Sequence, residues 1–178
     1  VGADHAVVAA AGDAIGRPGD FGLLSMTVDQ EALQRDAFHV EELSLVLRDG
    51  TLVSVPHNGQ LPQREFGEHF TGAELPVWFG VATAESNVPQ LGDERDRHYR
   101  FRVEVKPVFD ENLRDATREL EFRELSGHLF FGDEDRSGYE CLQIALLRRT
   151  GKPAVTSMCP KWVAPVLRCG AVPVKSMM

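Results

Sequence analysis

The chain has 178 residues, three cysteines and a formal net charge of −8, with Lys and Arg interleaved among Asp and Glu. Its length suits one domain that buries about 70% of the unfolded surface, enough for a core without covalent staples. The charge excludes a basic stripe for nucleic acid, the odd cysteine count without CxxC spacing excludes a disulfide framework or paired-thiolate zinc site, and no run approaches the ~20 apolar residues of a membrane span.

Cys141, Cys159 and Cys169 therefore read as reduced thiols of a cytoplasmic protein. The first stretch, VGADHAVVAAAGDAIG, lacks the basic start and continuous apolar core of a signal peptide, and direct insertion into a membrane is not expected. A chain that begins with Val reads as a piece of a longer protein.

Residues 1–20 are rich in Ala and Gly and predict a short helix or arm that ends at Gly16-Arg17-Pro18-Gly19. FGLLSMTVD (21–29) predicts a strand, and DQEALQRDAF (29–38) a helical turn capped by Asp29. HVEELSLVLRDGTLVSVP (39–56) is the clearest hairpin. Leu43, Leu45 and Leu47 alternate before Asp49-Gly50, and Thr51, Val53 and Val55 alternate after it. Asp-Gly favours a tight reversal because Gly tolerates positive φ and Asp can cap the local backbone. Asp49 thus reads as a turn former rather than a catalytic carboxylate or an adhesion tripeptide. A loop is expected over 57–74, then LPVWFGVA (75–82) as a strand buried on both faces, with Trp78 in the core.

ESNVPQLGDERDR (85–97) predicts a charged loop. HYRFRVEVKPVF (98–109) alternates strictly, with Tyr99, Phe101, Val103 and Val105 on one side and Arg100, Arg102, Glu104 and Lys106 on the other. That pattern predicts a half-exposed antiparallel strand. A loop to Arg118 and strands at 119–124 and 126–131 follow, with Gly127 as a bulge or kink. Residues 132–138 predict a turn, 139–149 a buried strand, 150–152 a turn and 153–157 a short strand; 160–168 reads as extended, with two prolines. Many short strands separated by turns, with one or two short helices, predict an all-β, mainly antiparallel sandwich over 21–171 and a tail at 172–178.

Chemistry is harder to find. No GxSxG, P-loop or GxGxxG occurs, and Cys141 lies on an apolar strand where a thiol is core rather than nucleophile. His57, Glu65 and His69 form the single nearby metal-ligating cluster, yet they lie on a loop with poor ligand spacing, so neither metal nor cofactor is expected. Trp162, in PKWVAP, and Phe66 and Phe70, in a polar loop, are the candidate partner-facing residues. The same aromatics would serve as stacking platforms if the sandwich were instead a carbohydrate- or ligand-binding module.

Taken in order, FGLLSMTVD, LVLRDGTLVSVP, LPVWFGVA, HYRFRVEVKPVFDEN, LEFRELSGHLFFGDED, SGYECLQIALL and WVAPVLRCGA cover roughly residues 20–171. This ordered set resembles the TssK (ImpJ, VasE) baseplate family of bacterial type VI secretion systems. Arg48 and Gln143 stand where the family pattern has Pro, and Ala164-Pro165 where it has Pro-Pro. The family's N-terminal arm motif and its C-terminal helical bundle and head are absent. The resemblance implies the N-terminal shell domain, a β-sandwich similar to the shoulder of phage receptor-binding proteins. It further implies a non-enzymatic adaptor, homotrimeric at full length, that docks on the TssF–TssG wedge and reaches the membrane complex through the missing C-terminal part.

Overall fold

The computed structural model describes residues 20–84, 99–109, 117–151 and 154–165. The expected arm, save Asp20, the loop at 85–97 and everything after 165, including the 172–178 tail, lie outside the described residues.

The Asp-Gly reversal builds the first sheet, in the order β1 (Gly22–Val28), β3 (Val40–Val46), β4 (Leu52–Val55), all antiparallel. Gly50 takes φ +84°, the Leu47 N–H donates to the Thr51 carbonyl at 3.0 Å, and the Thr51 N–H donates to Asp49 Oδ1 at 2.9 Å. Alternation then sends Leu43, Leu45, Val53 and Val55 to one side, where all four are buried. Between β1 and β3, Asp29 accepts from the Glu31 and Ala32 N–H groups at 2.8 and 3.1 Å and starts α1 (Gln30–Gln34). The helix is shorter than the expected 29–38. Asp36 turns into the left-handed region at φ 57°, and β2 (Ala37–Phe38) begins at once.

The second sheet runs β10 (His128–Phe131), β7 (Glu74–Ala82), β11 (Tyr139–Thr150), β12 (Val155–Met158). Leu75, Val77, Phe79 and Val81 point inward and are fully covered. Leu129, Phe79 and Leu142 stand abreast in the register, as do Phe130, Trp78 and Gln143 on the opposite, outer face. Strand β7 is therefore not evenly buried on both faces. Trp78 lies half-buried on the outside beneath the Arg136 guanidinium, 4.5 Å from its ring, rather than in the core. The inner faces of the two sheets share one apolar core that includes Leu43, Leu45, Val53, Phe79, Ile144 and Leu147, as in a sandwich.

Two expectations change. Residues 57–74 are not a bare loop: they hold β5 (Gly59–Gln60), β6 (Arg64–Glu65), which pairs with β2, and a 3-10 turn at Gly67–His69. Strand β5 runs parallel to β9 (Thr117–Ser126), which starts two residues before the expected 119 and pairs antiparallel with β8 (Phe101–Phe109). Gly127 separates β9 from β10, as expected of a kink. Its N–H donates to the Gln60 carbonyl at 3.0 Å, and a Cβ there would stand 2.8 Å from that carbonyl oxygen and from the Phe79 ring. The second change concerns β8. Its alternation is as expected, but the apolar side is not the buried one along its length, since Val103 and Val105 are 44% and 52% exposed while Arg100 is 5% exposed.

Candidate interaction surfaces

Arg100 explains the inversion. It enters just before β8 and turns its guanidinium under the first hairpin, donating to the Ala82 carbonyl at 2.8 Å, to Asp49 Oδ2 at 2.7 Å and to the Thr51 hydroxyl. Asp49 thus caps its turn with one oxygen and holds a buried cation with the other. Nothing in the local pattern around Asp49 signals a partner 51 residues away; an Arg on the polar side of an alternating strand reads as solvated.

Beyond this clasp, β8 and β9 form a two-stranded arm. The core meets only its base, where Leu125 is buried and Phe101 packs against the cluster. Farther out, Val103, Val105, Val108, Leu120 and Phe122 are all large, apolar and exposed. Glu124 lies buried at the root, accepting from Lys106 Nζ at 2.7 Å and from Gln60 Nε2 at 2.9 Å, and Lys106 also reaches Glu104 at 2.9 Å. Such a charged ladder fixes the strands in register while leaving the apolar side chains in water.

A second cluster surrounds the 3-10 turn. Arg64 grips Glu134 through two hydrogen bonds of 2.9 Å and the Leu129 carbonyl at 2.6 Å, and Glu134 accepts the Phe131 N–H at 2.7 Å. Phe131 meets Phe66 edge-on at 6.0 Å, and Phe66 meets Phe70 at 5.8 Å. Phe66 is 0% exposed and has no surface to offer a partner: the polar residues around it in sequence are those of turns, while its own ring closes the core. Phe70 is half-buried with Arg149 stacked 4.2 Å from its centroid, and Arg149 pairs with Asp36 at 2.8 Å. Trp162, half-buried against the core, donates its backbone N–H to the Cys159 carbonyl at 3.3 Å. Phe70 and Trp162 keep exposed area.

His57 and Glu65 are exposed at a turn and on β6, and His69 lies over the Phe131 ring at 5.3 Å. Among the described residues, no group of three or more His, Cys, Asp or Glu is placed to hold a metal ion. Among them too, no helix is long and apolar enough to cross a membrane.

Five carboxylates among the described residues titrate below their ordinary range: Asp29 chiefly through the Ala32 N–H, Asp135 chiefly through the Ser137 hydroxyl, and Asp49, Glu134 and Glu124 against their burial. Burial pushes Asp49 up, but the hydrogen bonds from Thr51 and Arg100 outweigh it; for Glu134 burial is outweighed by Arg64 and the Phe131 N–H, and for Glu124 by Lys106 and its other partners. A depressed folded-state pKa contributes stability above the unfolded carboxylate value, about 4, and loses it as pH falls through the folded value. The thermal midpoint should stay flat from pH 7 to 5 and fall below about pH 4, with a shallower fall in Asp49→Asn; an equally steep fall in that variant would remove Asp49 from the account.

The thiol of Cys141 behaves oppositely. Burial beside Gly80 pushes its pKa up to about 11. In a Cys159→Ser, Cys169→Ser background, Cys141 should react with a disulfide reagent at pH 8 about a hundredfold more slowly folded than in urea, because the thiolate is the reactive species. Comparable rates in the two states would contradict this shielding; the side chain is half-buried on the outer face, on the side of Trp78 and Gln143, and not in the core as the sequence suggests.

The fold and these surfaces define a mainly antiparallel β domain whose prominent surface features are an apolar arm and one clamped aromatic cluster. The family described as bacterial type VI secretion, EvfL, ImpJ, VasE matches residues 8–178. The chain belongs to that family. No curated protein matches it.

Solved structures share the fold. One, from a TssK–TssF–TssG baseplate subcomplex of a type VI secretion system, superposes with a TM-score of 0.78 at 16% identity, covering 96% of this chain and 57% of that one. TssK of the EAEC system in complex with a nanobody gives 0.69 at 16% identity, over 96% of this chain and 55% of that one. A crystal structure of TssK gives 0.74 at 16% identity, over 95% and 38%. The chain thus spans little more than half the length of the first two.

Proposed function

We propose that this chain is the shell domain of a structural adaptor in a bacterial type VI secretion baseplate, without turnover of its own, that docks on the TssF–TssG wedge in the cytoplasm. The observation that carries the reading is the coverage of 96% of the chain by the fold of a TssK solved together with TssF and TssG. At full length the protein forms a homotrimer, and the part beyond this chain faces the membrane complex. Phe70 and Trp162, like Phe21 and Phe101, combine core packing with free area, the combination that anchors interfaces.

Capture of TssF–TssG by the full-length protein tests the residues. Trp162→Ala and Phe70→Ala should each weaken capture about tenfold in variants whose circular dichroism and thermal midpoint show a folded domain. Undiminished capture by both folded variants would move the wedge-facing surface elsewhere on the domain.

A further inference from the structure

The free edge of the β8–β9 arm carries a self-complementary pattern that nothing in the proposed wedge docking uses. The Ser126 N–H donates to the Arg100 carbonyl at 2.9 Å, so Arg100 and Ser126 form a hydrogen-bonded pair. The β8–β9 register continues without a shift from Phe101↔Leu125 to Phe109↔Thr117. In an antiparallel ladder, hydrogen-bonded and non-hydrogen-bonded pairs alternate. Even-numbered β8 residues therefore bond to β9, and Phe101, Val103, Val105 and Pro107 turn their backbone groups away from it. Among the described residues, no strand lies on that outer side. Pro107, which has no N–H to give, falls on the outward set, the position where an edge tolerates proline.

We propose that this edge pairs antiparallel with the same edge of a second copy, about a two-fold axis at Val105. In that register Val105 faces its counterpart, Val103 faces Pro107 of the other copy, and Glu104 faces Lys106 twice over. Moving the axis to residue 104 sets Glu104 against itself and Arg102 against Lys106. Moving it to 106 sets Lys106 against itself. Like charges directly opposite are destabilising and opposite charges favourable, so the charges select the Val105 register. The pairing also lays the exposed Val103 and Val105 of both copies side by side on one face of a four-stranded sheet, covering apolar surface that a lone two-stranded arm leaves in water. Proline costs one hydrogen bond per copy and stops the edge from templating longer strands. The contact is isologous and uses an edge apart from Phe70 and Trp162, so it joins two copies whether or not each also belongs to a threefold assembly.

The test uses the full-length protein. Val105→Cys should form an intermolecular disulfide on mild oxidation, whereas Glu119→Cys, at an exposed position on the neighbouring strand, should not. By sedimentation, Glu104→Lys should weaken self-association about tenfold by replacing two Glu–Lys pairs with two Lys–Lys pairs, and Glu104→Gln, which removes the attraction without adding repulsion, should weaken it less. The proposal is overturned if the Val105→Cys variant does not cross-link to itself, if Glu104→Lys self-associates as tightly as the unaltered protein, or if the new thiol cross-links to TssF or TssG instead. Wedge capture measured on the same variants separates this edge from the docking residues, since loss of self-association with capture intact leaves the proposed function standing.

Discussion

Asp49→Ala should lower the stability of the domain by about 3 kcal/mol, read as a fall of about 10 °C in the thermal midpoint. The size follows from what is left behind. Arg100 is 5% exposed and keeps the Ala82 carbonyl and the Thr51 hydroxyl, but the carboxylate that it pairs with among the described residues is gone. Removing one partner of a fully buried ion pair costs about 3–5 kcal/mol; the Asp49 side chain is 38% exposed, so water replaces part of the loss. The turn cap to the Thr51 N–H goes as well. Asp49→Asn separates the two effects, because its side-chain oxygen still caps the turn without carrying the charge; about half the loss is expected. Urea unfolding measures both. A cost below about 0.5 kcal/mol for Asp49→Ala, the range of an ordinary surface change, would show that Arg100 is held without it.

Phe66→Ala should cost more, about 3–5 kcal/mol, the range for emptying an aromatic site in a packed core. Its ring is 0% exposed and lies edge-on to both Phe70 and Phe131, so the cavity is walled by rings that the Arg64–Glu134 clamp and the β10–β7 pairing hold in place. Phe70→Ala should cost less, since that ring is only partly buried. Equal costs, or a Phe66→Ala variant of native stability, would contradict the placement of Phe66 at the centre of this cluster.

Asp49 and Phe66 mark where the sequence is legible and where it is not. The Asp-Gly hairpin, the Asp29 cap and the β7–β10–β11 strands announce themselves because their causes are local: a positive φ, a side chain within three residues, a period of two. Phe66 reads as partner-facing because its neighbours are turn residues, and composition along a loop says nothing about which way one ring points. Arg100 is hidden for a related reason. A cation on the polar side of an alternating strand reads as solvated until a distant turn, here Asp49, is brought over it. The same blindness reverses β8, whose valines alternate like core residues yet lie on an arm that leaves the core after Phe101. The short strands in 57–74 are invisible in the sequence because pairs of two residues carry no period at all.

The ordered series of strands is informative where no single motif is, because order and spacing encode topology, and the family match likewise runs through nearly the whole series, over residues 8–178.

The proposed role is tested most directly by co-expressing the full-length protein, tagged, with TssF and TssG of its own system and measuring what co-purifies. A stable complex containing both wedge proteins, lost when residues 1–178 are removed, is the predicted result. A full-length protein that remains strictly monomeric and retains neither TssF nor TssG would contradict it.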